Sequence, residues 1–405
     1  MAVTDTTALA NQVKTVYDGD FYLAGQDMLY YDPLCDLRIQ MAGDRGRTYE
    51  FPLVERTQPN TATLSEVEDV TPQGMRDAAI SVTLNEYGGA IEITKFLGAT
   101  AYADIYKQAA YVNGYNMAES FDRVVRATAG QGGRQFFQNA RTARSSFTGQ
   151  ATAADRMTPA FLELLAMFSR SIKMPLFEDN TVAGLMHPFQ WYDLLQATDI
   201  RTMATRQNPE MLFNGETAYW SGIRIIVSPS AKAFWGAGAV SASSLVSTLA
   251  ASADVSATNL KLASVTNLDV GNFLAINDAE ETGNTWSDTN ELFYVTAVGT
   301  AGAGGTGVDG FALDPGPGDG GGLRYAHASG ATAKDNNSVY PLILLGPKSL
   351  TKAASDFTGP YGETIVTPPI DRLQRFMSMG WYAIVGYSRT RSGWLLRGET
   401  GASQS

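Results

Sequence analysis

Hydrophobic and polar positions alternate in two rhythms along this chain, and the rhythm changes in blocks. Residues 5–17 set Leu9, Val13 and Val16 at helical spacing behind a capping Asp5 or Thr6, which predicts a short amphipathic arm. From 18 to 45 no period holds, yet FYLAGQDMLYYDPL is too aromatic for a free linker and predicts a partner surface. Thr48–Val54 alternates as a strand, which Pro52 places at an edge. Ala78–Leu84 and then Ala90–Thr94 read as the β-branched return. Between them lies a polar stretch with Pro59, Pro72, Gly74 and the acidic Glu66, Glu68 and Asp69. The pattern predicts a long two-stranded hairpin with a loose tip. A hairpin of that kind is marginal alone, so it is expected to lie across another subunit.

The strongest helical period runs over 102–128, with Tyr106, Ala110, Met117, Phe121 and Val124 on one stripe. At about 1.5 Å per residue this spine would run about 40 Å. Gly114 inside it predicts close packing there, since glycine costs a helix about 1 kcal/mol relative to alanine. A second helix over 158–173 opens on Thr158 and Pro159. Val182–Met186, a helix from Pro188 through Leu195 and the strand Ile223–Val227 extend an α/β layer. From about 236 the sequence turns small and polar. The short runs NLKLASV, NFLAIND, ELFYVTAV, DGFALD and LRYAHAS between 258 and 333 predict a small all-β unit inserted into the α/β host. Entry and exit of an inserted unit should lie close together. Trp381–Tyr387 and Trp394–Arg397 predict a C-terminal hairpin.

Composition narrows the function classes. The chain has 405 residues, 44% hydrophobic and 18% charged, which is core-forming and ordinary. A net charge of −11 works against tight nucleic-acid binding, leaving weak or patchy contact with DNA. The lone Cys35 excludes an internal disulfide, and no apolar run reaches the roughly 18–20 residues of a membrane span. No secretory layout opens the sequence, so a reducing cytoplasm, or release from it by lysis, is expected.

Candidate chemistry is sparse. Gly302, Gly304 and Gly307 fit the spacing G-x-G-x-x-G, but a dinucleotide site needs a helix opening directly after the glycines. VDGFALDPGPG follows instead, so a flexible hairpin tip is expected. No G-K-[ST] phosphate loop occurs. Asp314, Asp319, Asp278, Glu280 and Glu281 match no EF-hand and read as solvated loop carboxylates. His187, before Pro188 at a strand-to-helix turn, is expected to bond nearby backbone, and His327 sits inside an expected strand. No catalytic set, metal site or cofactor site assembles. Candidate inter-subunit contacts are Arg47, Arg56, Glu66, Glu68, Asp69, Arg389 and Arg391, charges on the long hairpin or flanking the C-terminal turn.

Four segments together carry a resemblance: DVTPQGMRDAAISVTLNEYGGAIEITKFLG (69–98), LMHPFQWYDLL (185–195), YWSGIRIIVSPSA (219–231) and MGWYAIVGYSRTRSGWLLRGETG (379–401). In this order they resemble the major capsid proteins of tailed bacteriophages, whose fold is shared with herpesvirus capsids. The resemblance covers roughly 1–235 and 338–405. It implies an α+β fold with an N-terminal arm (1–45), an extended loop (46–82) and a peripheral domain (83–177 and 377–405) built on the spine helix. An axial domain (178–235 and 338–376) and the inserted β domain (236–337) complete it. It also implies a non-enzymatic coat protein forming hexamers and pentamers of an icosahedral head around double-stranded DNA, assembled in the host cytoplasm. A scaffolding protein, a portal and a cement or decoration protein are the further partners it suggests, with no membrane. Two features depart from some relatives. No lysine lies between Lys14 and Lys95, so the extended loop cannot supply the lysine of a covalent cross-link. No long charged self-scaffolding helix opens the chain, and from the start at Met1 no lost propeptide is expected; a separate scaffold is. The alternatives are a phage tail or adhesion protein and, third, an α/β enzyme with the glycine run over its substrate. The first would grip carbohydrate with Trp286, Phe293, Tyr294 and Tyr325; the second lacks a polar set.

Overall fold

The computed structural model describes residues 30–39, 46–54, 57–101, 105–131, 134–148, 152–197, 219–239, 244–277, 289–316, 321–367 and 373–403, less positions 62, 65, 68, 71, 336 and 374. The expected arm helix over 5–17 lies outside them. The described chain begins with β1 (Asp36–Ile39), β2 (Thr48–Val54), β3 (Asp77–Thr83) and β4 (Asn85–Thr94). Two helices follow, α1 (Lys95–Thr100) and the 26-residue α2 (Ile105–Gly130), then β5 (Arg134–Phe137). Next come α3 (Pro159–Ser171), β6 (Val182–Met186), α4 (Pro188–Gln196), β7 (Tyr219–Trp220) and β8 (Ile223–Val227). Short strands follow: β9 (Val246–Thr248), β10 (Asn259–Leu260), β11 (Phe273–Asn277), β12 (Glu291–Val298), β13 (Val308–Ala312) and β14 (Thr332–Asp335). The chain closes with β15 (Tyr340–Leu345), β16 (Leu350–Ala354), β17 (Glu363–Thr367), β18 (Phe376–Arg389) and β19 (Leu395–Thr400).

The central sheet has the order β5-β19-β15-β6-β8-β7. Its central strands β6 and β15 are apolar and buried along their whole length, because both faces are covered there. Phe161, Leu162 and Leu165 of α3 pack with Val182, Ile223, Leu342, Leu344 and Leu396. The start of α3 follows the sequence signal: the Thr158 hydroxyl accepts from Phe161 N, with Pro159 in the first turn. At the middle of β6 a Cβ on Gly184 would stand 2.9 Å from both Ile223 Cγ2 and Leu344 Cδ2, so any larger residue there would force these buried side chains to shift.

A second sheet is organised by β18. It pairs antiparallel with β4 over ten residue pairs, and also with β16 and β17, while β1 joins β16 in parallel. This corrects two expectations. Only β3 returns along β2; β4 leaves the hairpin for β18, where its Tyr87, Ile91 and Ile93 join Met379, Trp381 and Ala383 against α2. The C-terminal hairpin does not form either. β19, buried along its whole length, is drawn between β15 and β5, whereas β18 keeps one face partly open. The segment 377–405 therefore serves two sheets.

Helix α2 lies under the second sheet, but its buried face is turned from the expected stripe. Ala109, Asn113, Phe121, Asp122, Val125, Arg126, Ala129 and Gly130 are buried, and Ala110 is exposed. Three polar residues replace apolar ones because each finds a partner. Asn113 Nδ2 donates to Met379 O at 2.7 Å, Arg126 Nη1 donates to Ser230 O at 2.9 Å, and Asp122 is described below.

The strands from β9 to β14 pair antiparallel among themselves in the order β10-β13-β12-β11-β14-β9. Their core, with Leu245, Leu260, Leu274, Phe293, Val295, Val308 and Ala333, draws only on residues of this unit. LRYAHAS is no strand; it contributes a single bridge, His327 to Ala253, and β14 follows it. Phe234 and Val339, before and after the unit, exchange two backbone hydrogen bonds of 2.8 and 3.1 Å.

Gly114 is exposed, and a Cβ there would meet nothing within 4 Å, contrary to the close packing expected. Gly114→Ala should therefore stabilise the dispersed subunit by about 0.5–1 kcal/mol. A urea titration reads this as a higher midpoint at unchanged slope.

Candidate assembly surface

The paired part of the hairpin runs from Thr48 opposite Thr83 to Val54 opposite Asp77. One face touches the body: Tyr49, Phe51 and Val82 pack with Leu84, Ala353 and Ile384. Beyond Val54 and Asp77 no strand pairing continues among the described residues. There Leu64, Val67 and Met75 are 73%, 92% and 77% exposed. Apolar side chains so open on a loop with no core are free to be covered by another surface. The sequence places charge beside them.

Of the expected contact residues, Glu66 and Asp69 are exposed on this tip, where Asp69 Oδ1 accepts from Val70 N at 2.8 Å. Arg47 lies at the hairpin's base; its carbonyl accepts from Leu84 N and its Nη2 stands 3.5 Å from Asn85 Oδ1. Arg389 ends β18 opposite Leu350, and the Arg391 guanidinium covers the Trp394 ring at 4.2 Å. Arg56 and Glu68 fall outside the described residues. The described five are spread over separate elements and form no single cluster.

Sequence reasoning missed the most built polar site. Asp32–Leu34 form a single helical turn with no local cap. Its free N–H groups are capped in trans: Tyr30, Tyr31 and Asp32 all donate to Asp122 Oδ1 on α2, at 3.1, 2.7 and 3.2 Å. Burial raises the Asp122 pKa, against the pull of these three donors and of Arg126. Beside it the Asp32 carboxylate accepts from Lys352 Nζ at 2.8 and 3.0 Å and from the Tyr387 hydroxyl at 3.0 Å. Tyr31 is buried between them. Residues 30–39 are thus strapped between the spine helix and β16. The sequence held no signal for it, because Asp122 lies off the apolar stripe of the helical period and reads as a solvent position.

The remaining sequence candidates are structural. The glycine run closes the β12–β13 hairpin, with Gly302 and Gly307 at positive φ and no helix after them. It is pinned, not the loose tip expected: Gly299 N donates to Gly307 O, Gly302 N to Leu262 O, and Lys261 Nζ to the carbonyls of Gly305 and Thr306 at 2.9 Å. Asp314 is taken up in ion pairs with Arg123 and Arg324, while Asp278, Asp319, Glu280 and Glu281 fall outside the described residues. No group of three or more side chains able to hold a metal ion occurs among the described residues. Phe293 is in the core and Tyr325 is bonded to Arg123, so they line no open aromatic groove with Tyr294; Trp286 is not among the described residues. His327 Nε2 lies 3.0 Å from Glu291 Oε1 in the interior. His187 caps α4, its Nδ1 accepting from Phe189 N at 3.2 Å, among the rings of Phe189, Trp235 and Tyr340. Burial pushes its pKa down to about 3.

Comparison with known proteins points one way. A family model described as phage capsid protein matches residues 37–263, more than half of the chain. The cyanophage Pam1 capsid structure is similar at a TM-score of 0.56 and 12% identity, covering 98% of each chain. The capsid of Ralstonia phage GP4 gives 0.56 and 10%, covering 96% of each. The capsid structure of Helicobacter pylori bacteriophage KHP30 gives 0.56 and 10%, covering 99% of each. At such identity these likenesses establish a shared fold. Among curated proteins nothing matches.

Two outcomes follow from the geometry. Asp122→Ala leaves three donors without their acceptor and should cost about 1–3 kcal/mol. Amide exchange should quicken at residues 30–32 and stay slow in β6 and β15. For His187 the sign is set by a depressed folded pKa. The unfolded chain takes up a proton below about pH 6.5 and the folded one does not until about pH 3. Stability is full above pH 6.5 and falls as pH drops, by up to about 1.4 kcal/mol per unit. His187→Asn keeps a capping acceptor and removes the titration, so urea midpoints at pH 7, 5 and 4 should show a shallower decline than the parent's.

Proposed function

This chain belongs to the phage capsid protein family, and on that basis we propose that it is the major capsid protein of a tailed double-stranded DNA phage, self-assembling through hexamers and pentamers into an icosahedral head. Family membership makes it a structural protein of the virion and no enzyme. The observation that carries the finer reading is the β2–β3 hairpin. It has almost no core of its own, and its tip exposes Leu64, Val67 and Met75. In this reading the tip lies over an adjacent subunit. Full burial of each such side chain there would contribute about 1.5–3 kcal/mol, repeated at every equivalent contact of a closed shell. Glu66, Asp69, Arg47, Arg389 and Arg391 are the proposed polar contacts that set register.

The segments map as an N-terminal arm, an extended loop, peripheral and axial domains, and a β domain of residues 236–337 inserted in the axial part. The shell is held non-covalently, because the extended loop carries no lysine. The net charge of −11 supports only weak contact with packaged DNA. Assembly takes place in the host cytoplasm with a separate scaffold, a portal and a cement protein as the further partners of this reading.

Negative-stain electron microscopy tests it. The parent protein should give shells or hexameric capsomers, and Leu64→Asp with Val67→Asp should leave dispersed, folded subunits with unchanged circular dichroism. A parent that stays a monodisperse monomer at high concentration, or a double variant that assembles as the parent does, would overturn the reading.

A further inference from the structure

Four cations gather at one end of the central sheet, where β15 ends and β19 begins with Leu345 opposite Leu395. Lys348 stands in the turn that leaves β15. Arg389 ends β18 opposite Leu350, just beyond that turn, and Arg391 N donates to Ser349 O at 3.4 Å. Lys173, past the end of α3, comes to the same place: a Cβ on Gly346 would stand 2.7 Å from Cγ of the adjacent Met174. Lys173 and Lys348 are exposed, Arg389 and Arg391 partly so. Among the described residues none of the four is in an ion pair. Of the carboxylates nearby, Asp179 is taken by Arg224 and the Thr181 hydroxyl, Asp36 by Arg38, and Glu178 is exposed. Both lysines sit in left-handed backbone, at φ 53° and 60°, a region that favours glycine. The turns gain nothing from lysine; what lysine adds there is charge. Apolar surface lies among the cations: Leu176 is exposed, and the partly exposed Trp394 ring carries the Arg391 guanidinium.

The same chain carries the complementary surface. On the hairpin tip Glu66 and Asp69 are exposed among the exposed Leu64, Val67 and Met75. Acid among apolar side chains on the tip matches base among apolar side chains at the sheet end. A ring of identical subunits needs such a pair, because a head-to-tail contact joins two different surfaces of one molecule. Nucleic acid, the other polyanion that a basic patch attracts, is disfavoured by the net charge of −11 and would leave Leu176 and Trp394 uncovered.

We propose, resting on the reading of the chain as a self-assembling capsid subunit, that the basic end formed by Lys173, Lys348, Arg389 and Arg391 is the seat of the acidic hairpin tip of a second copy. Glu66 and Asp69 pair with these cations and fix the register, while the apolar side chains of the tip cover Leu176 and Trp394. Opposite charge across the contact also speeds encounter and penalises wrong partners.

Two measurements on the full chain test this. Glu66→Cys and Lys348→Cys are prepared separately, mixed under assembly conditions and oxidised gently. Only the mixture should give a disulfide-linked dimer on a non-reducing gel, since the two thiols then lie on different copies. Native Cys35 is half-buried with its thiol pKa pushed up by burial, which keeps it out of the exchange. In the second measurement, Lys173→Glu with Lys348→Glu reverses the charge at two exposed positions of the seat. Shell yield should fall about tenfold at unchanged circular dichroism. Adding Glu66→Lys and Asp69→Lys to the same chain should restore it. If the parent assembles but the mixture gives no dimer and the reversal variant assembles equally well, the proposal is overturned and the capsid reading stands. A parent that never assembles overturns both. Reversal-variant shells that form normally but retain less DNA would assign the basic end to nucleic acid, which overturns the proposal as well.

Discussion

The polar groups that helix α2 carries toward its neighbours hold the molecule together, because a desolvated donor or acceptor must find a partner and α2 finds its partners in five different parts of the chain. Asn113 reaches Met379 O in the second sheet, and Asn116 accepts from Trp381 Nε1 at 3.1 Å. Asp122 holds the turn at residues 30–32, and Arg126 bonds Ser230 O just past β8. Glu119 and Arg123 take the β9–β14 unit, and the last carbonyl, of Gly130, accepts from Arg397 of β19. Apolar packing alone would let a long helix slide or rotate under a sheet. Five separate hydrogen-bonding sites in five separate elements admit one register.

The same logic recurs where α2 ends. Arg397 and Glu399 are buried in the middle of β19, with Arg144 Nε and Nη2 donating to Glu399 at 2.8 and 2.9 Å and Gln135 at 2.7 Å. Arg144 also lies over the Phe234 ring at 3.5 Å. Nearby, Asp155 accepts from Arg141, Asn139 and the Thr148 amide. Burial works against the charge on Asp155, and these donors outweigh it, leaving its pKa lowered. Buried ion pairs of this kind add little net stability over apolar substitutes. Their effect is selective. An alternative packing would strand a charge in the core, so residues 138–148 and 152–155 have one seating against the central sheet.

This division explains what could be read from the sequence. Elements whose pattern is decided by one apolar face were legible: α3 with its Thr158 cap, the fully apolar β6, the strand β8 and the paired β2 and β3. So was the family resemblance, carried by segments within these and neighbouring elements. Partnerships between distant strands were not. β4 and β18 alternate as well as any hairpin strands, and nothing local says that they pair with each other across nearly three hundred residues. The α2 stripe was placed one residue off at Ala110 and Val124, where Ala109 and Val125 are the buried residues. Asp122 and Arg126 look like solvent positions until residues 30–32 and Ser230 arrive to pair with them. The trans cap and the ion pairs of Asp314 with Arg123 and Arg324 were invisible for the same reason: each half is an ordinary surface charge until the chain is folded.

The apolar side chains left exposed are informative in turn. The body satisfies its buried charges internally, and its central sheet is covered on both faces, yet the hairpin tip leaves Val67 almost wholly open. A protein that needed only to stay soluble would gain by replacing Leu64, Val67 and Met75 with polar residues, since no core depends on them. Beside them stand Glu66 and Asp69, charges that would reject a wrong register in the proposed contact. A net charge of −11 meanwhile keeps free subunits apart at long range, and salt screens that repulsion beyond about 8 Å at physiological strength. Short-range apolar burial can then outweigh it only where many contacts form together. That balance favours closed, symmetric assembly over indiscriminate pairing.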